Sequence, residues 1–395
     1  MDGMADTAPA KSGKSVEQHY REHFGPILVR EFAARLQVAA DTPMPFQERL
    51  VWFWSNHFTV STTKPGIAAV VGPYEREAIR PNVTGKFADL LVAAVKHPCM
   101  ILYLDNNLSA ADNYVDKPGF LARMLNAPRV MGLNENLARE IMELHTLGVG
   151  SGYTQADVTT FARVLTGWGV GGLFTSGFRF DAKRHDVGAK TILGKSYADT
   201  GQRQAEDVLR DLAAHPATAL HIAAKLARHF ISDDPPAAAV ERIAKAFRDS
   251  GGDLQTVYAA LVASPEAWAP VLAKARTPIE VVTASLRALP RAANTKFDGA
   301  VGVLYTMGHA PLNAPSPKGW PDTAEAWLGA DSVWKRIEWA NTISSRYGNY
   351  IDALAVARRS YGALLSANTE SALMRAESKQ QALALWLASP EFQRR

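Results

Sequence analysis

Pro45-Phe46-Gln47-Glu48-Arg49-Leu50-Val51-Trp52-Phe53-Trp54-Ser55-Asn56-His57-Phe58 is the stretch on which the fold reading turns. Proline opens it, at a helical position where the backbone donor has no intrahelical use. Phe46, Leu50, Phe53, Trp54, His57 and Phe58 then recur at spacings of three and four, so they line one stripe, with Gln47, Glu48 and Arg49 on other faces. The same punctuation recurs outward from this helix. Gly25-Pro26 precedes Leu28, Phe32, Leu36 and Ala39. Thr84 is placed to cap a helix with Phe87, Leu90, Leu91 and Ala94 on its face, ended by Pro98. Asn134 precedes a helix that runs to Leu147 and stops at Gly148. Thr154 and Asp157 have capping-box spacing before Val158, Phe161, Ala162 and Leu165, and Thr277-Pro278-Ile279-Glu280 supplies a cap, a first-turn proline and a reciprocal acid.

Between Gly169 and Ser196 the helical period fails. Phe178 and Phe180 alternate with polar residues and Thr191-Ile192-Leu193 is a second short β-prone run, which predicts a small hairpin. The fold class that follows is mainly α, with two helical lobes and a small β-hairpin insertion between them. The lobes span 16–168 and 201–395, joined by a hairpin connection over 169–200, and form one cooperative globule. Residues 1–15 are small and polar and predict a disordered leader, because they bury too little to offset the entropy of ordering. Two long irregular segments stand out, 105–131 and the proline-rich 309–331, where Trp320 and Trp327 are expected to pin the loop against helices.

Charge and composition narrow the function classes. Forty-three Lys and Arg against 39 Asp and Glu give a net charge of +4 with no run of five like charges, so nucleic acid is not an expected partner. An apolar content of 47% excludes a disordered chain, yet no stretch approaches the roughly 18 apolar residues of a membrane span. The single Cys99 lies in the apolar run Pro98-Cys99-Met100-Ile101-Leu102, which excludes an internal disulfide and a thiolate cluster and predicts core packing. Residues 1–26 carry neither a hydrophobic export region nor twin arginines, so the chain as written reads as cytoplasmic. HExxH, GxSxG, the P-loop and GxGxxG are all missing, so no nucleotide is expected and covalent serine catalysis is disfavoured.

Four polar clusters could carry chemistry, each with a structural counterpart. Asn56 and His57 end the aromatic helix, where an inward imidazole either serves a site or is satisfied by a carbonyl or carboxylate. In Asn134-Glu135-Asn136-Leu137-Ala138-Arg139-Glu140-Ile141-Met142-Glu143-Leu144-His145, Glu140 and Glu143 are neighbours on one face and can hold a cation or divide acid and base roles. The structural reading is an Arg139–Glu143 surface pair. His185-Asp186 either converge on an ion or form a turn with Gly188 at positive φ. Ser316-Pro317-Lys318-Gly319-Trp320-Pro321 is either a lid, with Lys318 as an anion contact, or a rigid loop.

Taken together, the Phe46–Phe58 run, Asn134–Glu140, Gly152-Tyr153-Thr154, Leu165-Thr166-Gly167-Trp168, His185–Lys190, Pro317–Pro321 and Ser389-Pro390-Glu391-Phe392 resemble the bacterial family known as domain of unknown function 1800. The resemblance spans about residue 27 to the C-terminus. It implies a predominantly helical protein, often encoded beside an exported partner similar to phosphatases and sulfatases, and it transfers no catalytic residue. Members usually begin with a further helical segment before the aromatic motif, so a misassigned start would make the chain periplasmic.

Three functional expectations result. The first is an uncharacterised helical protein with a metal- or acid/base-dependent, hydrolase-like site at the lobe junction. Its catalytic candidates are Glu140, Glu143 and His145. Substrate contacts would come from Asn56, Asn134, Asn136, Lys318 and Trp320, and a divalent metal would sit on His57, His185 and Asp186. The second is a non-catalytic binding or assembly protein for the exported phosphatase- or sulfatase-like partner. The third is a polysaccharide-binding scaffold presenting Trp168, Trp320 and Trp327. Convergence of the three polar segments in one cleft separates the first from the others.

Overall fold

The computed structural model describes residues 16–64, 66–115, 132–171, 177–290 and 297–395. Within them the fold is mainly α, with two short antiparallel hairpins. The leader 1–15 and residues 116–131 of the first long loop lie outside the described residues.

Helix α1 (Val16–Asp41) runs through Pro26, so the Gly25-Pro26 pair does not start it. Proline forfeits one intrahelical hydrogen bond there, and the rest of the helix continues. Helix α2 (Pro45–His57) starts at its proline and buries Leu50, Phe53, Trp54 and His57 as the stripe predicts. Trp54 Nε1 donates to the Tyr258 hydroxyl at 2.6 Å, which donates to the Val83 carbonyl at 2.7 Å, so the indole brings no unmet donor into the core. Glu48, read as outward, is buried. Arg80 grips it with two hydrogen bonds of 2.6 and 2.9 Å, a partner 32 residues away that the local spacing does not reveal.

Helix α3 (Phe87–Lys96) begins after extended Lys86, not under a Thr84 cap. Helix α4 (Asn136–Glu140) continues as a π-helical turn over Ile141–His145. Helix α5 (Gln155–Leu165) has the complete Thr154–Asp157 capping box. Helices α6 (Gln202–Ala214), α7 (Pro216–Phe230), α8 (Ala237–Asp249) and α9 (Leu254–Val262) follow, with α6 on α3, α7 on α8 and α8 on α9. Helix α10 (Pro278–Ala288) starts with the complete Thr277–Glu280 box. Helices α11 (Asp298–Thr306), α12 (Ala330–Tyr347), α13 (Ala353–Tyr361), α14 (Ala367–Met374) and α15 (Lys379–Ala388) complete the chain.

The sequence predicts one hairpin; the structure has two. Strand β1 (Trp168–Val170) pairs with β2 (Phe178–Phe180), and β3 (Lys190–Ile192) with β4 (Lys195–Tyr197). Each β-prone run thus pairs with its nearer neighbour in the chain. The second turn is the two-residue Leu193-Gly194, both at positive φ (49° and 76°), which suits the twist of a tight hairpin.

Buried apolar residues form two clusters. One joins α2 to the helices through α9; the other joins Phe32, Leu36 and Ala40 of α1 to α10 through α15. This division does not coincide with the expected lobe boundaries at 168 and 200. A two-stranded ribbon cannot bury a face alone, so the hairpins sink Trp168, Ile192 and Tyr197 into the first cluster instead of bridging two. Helix α1 crosses to the second cluster because its stripe packs on α10 and α11. Among the described residues, no helix is long and apolar enough to cross a membrane.

Candidate functional site

The irregular segment after α11 docks over the end of α2, beside the boundary between the clusters. Asn56 clamps it: Nδ2 donates to the Trp320 carbonyl at 3.0 Å and Oδ1 accepts from the Trp320 amide at 2.8 Å. Gly319 makes this approach possible. Its φ is +84°, and a Cβ there would lie 2.5 Å from the Asn56 carbonyl oxygen. Gly319→Ala is therefore expected to destabilise the fold by about 1–2 kcal/mol from backbone strain before any clash is counted. A urea midpoint unchanged from wild type would contradict this contact. The Trp320 ring lies 5.0 Å from His309, and His309 stacks on Trp327 at 4.8 Å, so the tryptophan rings pack within the loop, and the tie to α2 runs through the Trp320 backbone.

Under the loop, His229, in the last turn of α7, meets Asp322 with Nδ1 to Oδ2 at 2.8 Å. Its Nε2 makes no hydrogen bond among the described residues, and the residue lines the cavity under the loop. Asp322 is itself held from behind, its carbonyl accepting from the buried Lys274 ammonium. Glu280, in the first turn of α10, is buried with Arg395 Nε at 2.8 Å and Arg49 Nη2 at 3.7 Å. His229, Asp322 and Glu280 line one cavity together with Trp52, Asn56, His309 and Trp320.

The electrostatics follow from burial. Desolvation pulls His229 below its ordinary value against the opposing pull of Asp322, so the imidazole is neutral near pH 7. Burial alone would raise the carboxyls of Asp322 and Glu280. His229 and Lys274 bring the first below its usual range, and Arg395 and Arg49 do so for the second. A neutral imidazole that gives its Nδ1 proton to a carboxylate presents an Nε2 lone pair, the arrangement a general base requires.

Of the residues singled out from sequence, Asn56 and Trp320 line this cavity. His57 and His145 meet elsewhere, in the first core: His57 Nε2 lies 3.1 Å from the His145 carbonyl, and the rings are 5.9 Å apart. His221 adds a third imidazole 6.2 Å from His57. The π turn carries His145 inward until it is 0% exposed, with neither ring nitrogen hydrogen-bonded. Burial and then Lys225 push His145 down to about 3 and His221 to about 4.

Glu140 and Glu143 do not line the cavity at the cluster boundary. Glu143 pairs with Arg139 at 3.3 Å, the structural reading, while burial and then Glu143 raise the Glu140 carboxyl. Asn134 accepts from the Asn136 amide at 2.9 Å, a local turn. His185 Nδ1 bonds the Thr166 carbonyl at 3.0 Å and Asp186 takes Arg163 at 2.7 Å, tying the end of α5 to the hairpins. Lys318 is exposed. The six residues expected to gather thus fall into three separate pairs, His57 with His145, Glu140 with Glu143 and His185 with Asp186. Among the described residues no three His, Cys, Asp or Glu side chains form a metal-ligand set, so the geometry does not support the divalent metal. Trp168 and Trp327 are buried, which removes them as glycan platforms.

Sequence reasoning missed His229, Asp322 and His309, and read Glu280 only as a cap. Asp322 directly follows the quoted Pro317–Pro321 run, the one local signal available; His229 sits beside the Ile222, Leu226, Phe230 stripe with nothing to mark it.

A family model described as a protein of unknown function (DUF1800) matches residues 4–394. No curated protein and no solved structure matches the chain.

Proposed function

The chain belongs to the DUF1800 family, and since membership supplies no reaction, we propose one from the cavity: an acid/base site of hydrolase type, with His229 as general base and Asp322 orienting it. The observation that carries this reading is the 2.8 Å His229–Asp322 bond between two residues that line one cavity. Nε2 takes a proton from a water as that water attacks the substrate. Asp322 stabilises the resulting imidazolium, which returns the proton to the leaving group. Ser55, Thr59 and Thr277, the Ser and Thr hydroxyls on the cavity wall, are committed to Glu75, to the Asn56 carbonyl and to Glu280, so water is the nucleophile this site supplies best. Asn56 and Trp320 hold the loop that roofs the substrate.

The test is turnover of a panel of chromogenic carboxylic, phosphate and sulfate esters and glycosides by the full chain. His229→Ala is expected to lower the rate by about 10²–10⁴-fold. Asp322→Asn should also lower it, and the rate should fall as pH drops through the depressed value of His229. An inactive wild type, or activity indifferent to His229→Ala, removes the reading.

One observation favours the second reading, a binding protein for the exported phosphatase- or sulfatase-like partner, which would place the chain in the periplasm. Val333, Trp334 and Ile337 of α12 form an exposed apolar face, with Trp334 61% exposed. Retention of such a partner by wild type and its loss on Trp334→Asp would support that role.

A further inference from the structure

A second hollow adjoins the first, sharing Trp52 and Glu280 as a common wall, and lies between α2, α10 and the C-terminal segment. Its lining contains buried polar atoms with no hydrogen-bond partner among the described residues: Arg49 Nε and Nη2, Arg395 Nε and Nη2, Trp52 Nε1 and Thr283 Oγ1. All of them can donate a hydrogen bond. Native proteins leave few buried polar atoms unmet, so a set of unmet donors on residues that line one space signals a missing acceptor, one that the side chains turn outward to meet.

The charges agree. Four arginines line the hollow, Arg49, Arg276, Arg287 and Arg395, against Glu48 and Glu280. Glu48 is committed to Arg80. Arg287 caps α1 through the carbonyls of Ala39 and Thr42, each at 3.0 Å, and Arg276 holds the Phe392 carbonyl at 2.7 Å. Glu280 is left to serve both Arg49 and Arg395. It lies 2.8 Å from Arg395 Nε without hydrogen-bond alignment and 3.7 Å from Arg49 Nη2, so both contacts are ionic and the guanidinium N–H groups stay unmet. Arg49 is pushed down to about 9 by burial and then by Arg395, the response of a cation short of counter-charge.

We propose that this hollow binds an oxyanion, a phosphate, sulfate or carboxylate group of a larger molecule, on the guanidiniums of Arg49 and Arg395, with Trp52 Nε1 and Thr283 Oγ1 as further donors. Planar guanidinium forks match such oxygens in pairs. Arg276 and Arg287 also line an adjoining hollow with Arg359, Tyr361, Trp386 and Phe392, whose mixed aromatic and cationic wall receives the rest of the ligand. The inference is independent of proton transfer at His229, because it concerns binding alone.

The experiment titrates the full chain with inorganic phosphate, sulfate or acetate at constant ionic strength, read by calorimetry and by the thermal unfolding midpoint. Wild type should show saturable binding of at least one anion, and the rank of the three identifies the acid group. Arg49→Gln should weaken it by about tenfold or more. Thr283→Val removes a donor that is unmet in the free protein, so it should leave the free protein no less stable while weakening binding by about threefold or more. This second variant carries the test if Arg49→Gln does not fold. Absence of saturable binding by all three anions, or affinities unchanged in both variants, overturns the proposal.

Discussion

Glu280→Ala is expected to lower the unfolding free energy by about 3–5 kcal/mol, because it leaves buried cations without their counter-charge. The carboxylate serves the Thr277 amide as a helix cap at 2.8 Å and Arg395 and Arg49 as an ion, so one truncation removes a cap and exposes two guanidiniums to uncompensated burial. The loss is large against a typical domain stability of about 5–15 kcal/mol. Urea unfolding at unchanged slope measures it; a loss under about 1 kcal/mol would mean that water reaches these arginines and relieves them. If the neighbouring hollow takes an oxyanion, phosphate should recover part of the deficit in this variant, since it replaces the lost charge.

Acidification is expected to unfold the protein in a window set by histidine, above the range where carboxylates protonate. His57, His145, His221, His229 and His309 are all held below their ordinary value, each mainly by burial, with His309 down to about 3. Lys225 opposes protonation of the His57, His145 and His221 group, while Asp322 favours it at His229. The unfolded chain therefore binds more protons than the folded one below about pH 6.5, so stability is complete above that pH and falls as pH drops. The slope is up to about 1.4 kcal/mol per pH unit for each such group. Glu280 and Asp322 are also held below their usual range, so they lose stability in the same direction, but only below about pH 4.5, where unfolded carboxyls take up protons. Urea midpoints between pH 7.5 and 4.5 test this. His145→Phe should flatten the curve; a wild-type midpoint constant over that range would contradict neutral burial of these rings.

The starts of α2, α5 and α10 were legible because their causes are local, whereas the starts expected at Gly25-Pro26 and under Thr84 were overridden. The Thr154–Asp157 and Thr277–Glu280 boxes need only four consecutive residues, and the α2 stripe needs only periodicity. The expected site failed to assemble where local rules stop. The π turn at Ile141–His145 turns His145 into the core, and no spacing rule marks such a turn in advance. His229 and Asp322 lie 93 residues apart, and Glu280 and Arg395 lie 115 apart.

Helical class and the two capping boxes were thus determined by the order of residues alone, since each depends on neighbours within a turn or two of chain. Which imidazole faces a carboxylate, which arginines are left short of acceptors and where the two cores divide were decided only by tertiary packing. Burial sets the energy of a charge through everything around it, and those surroundings are contributed by segments far apart in the chain.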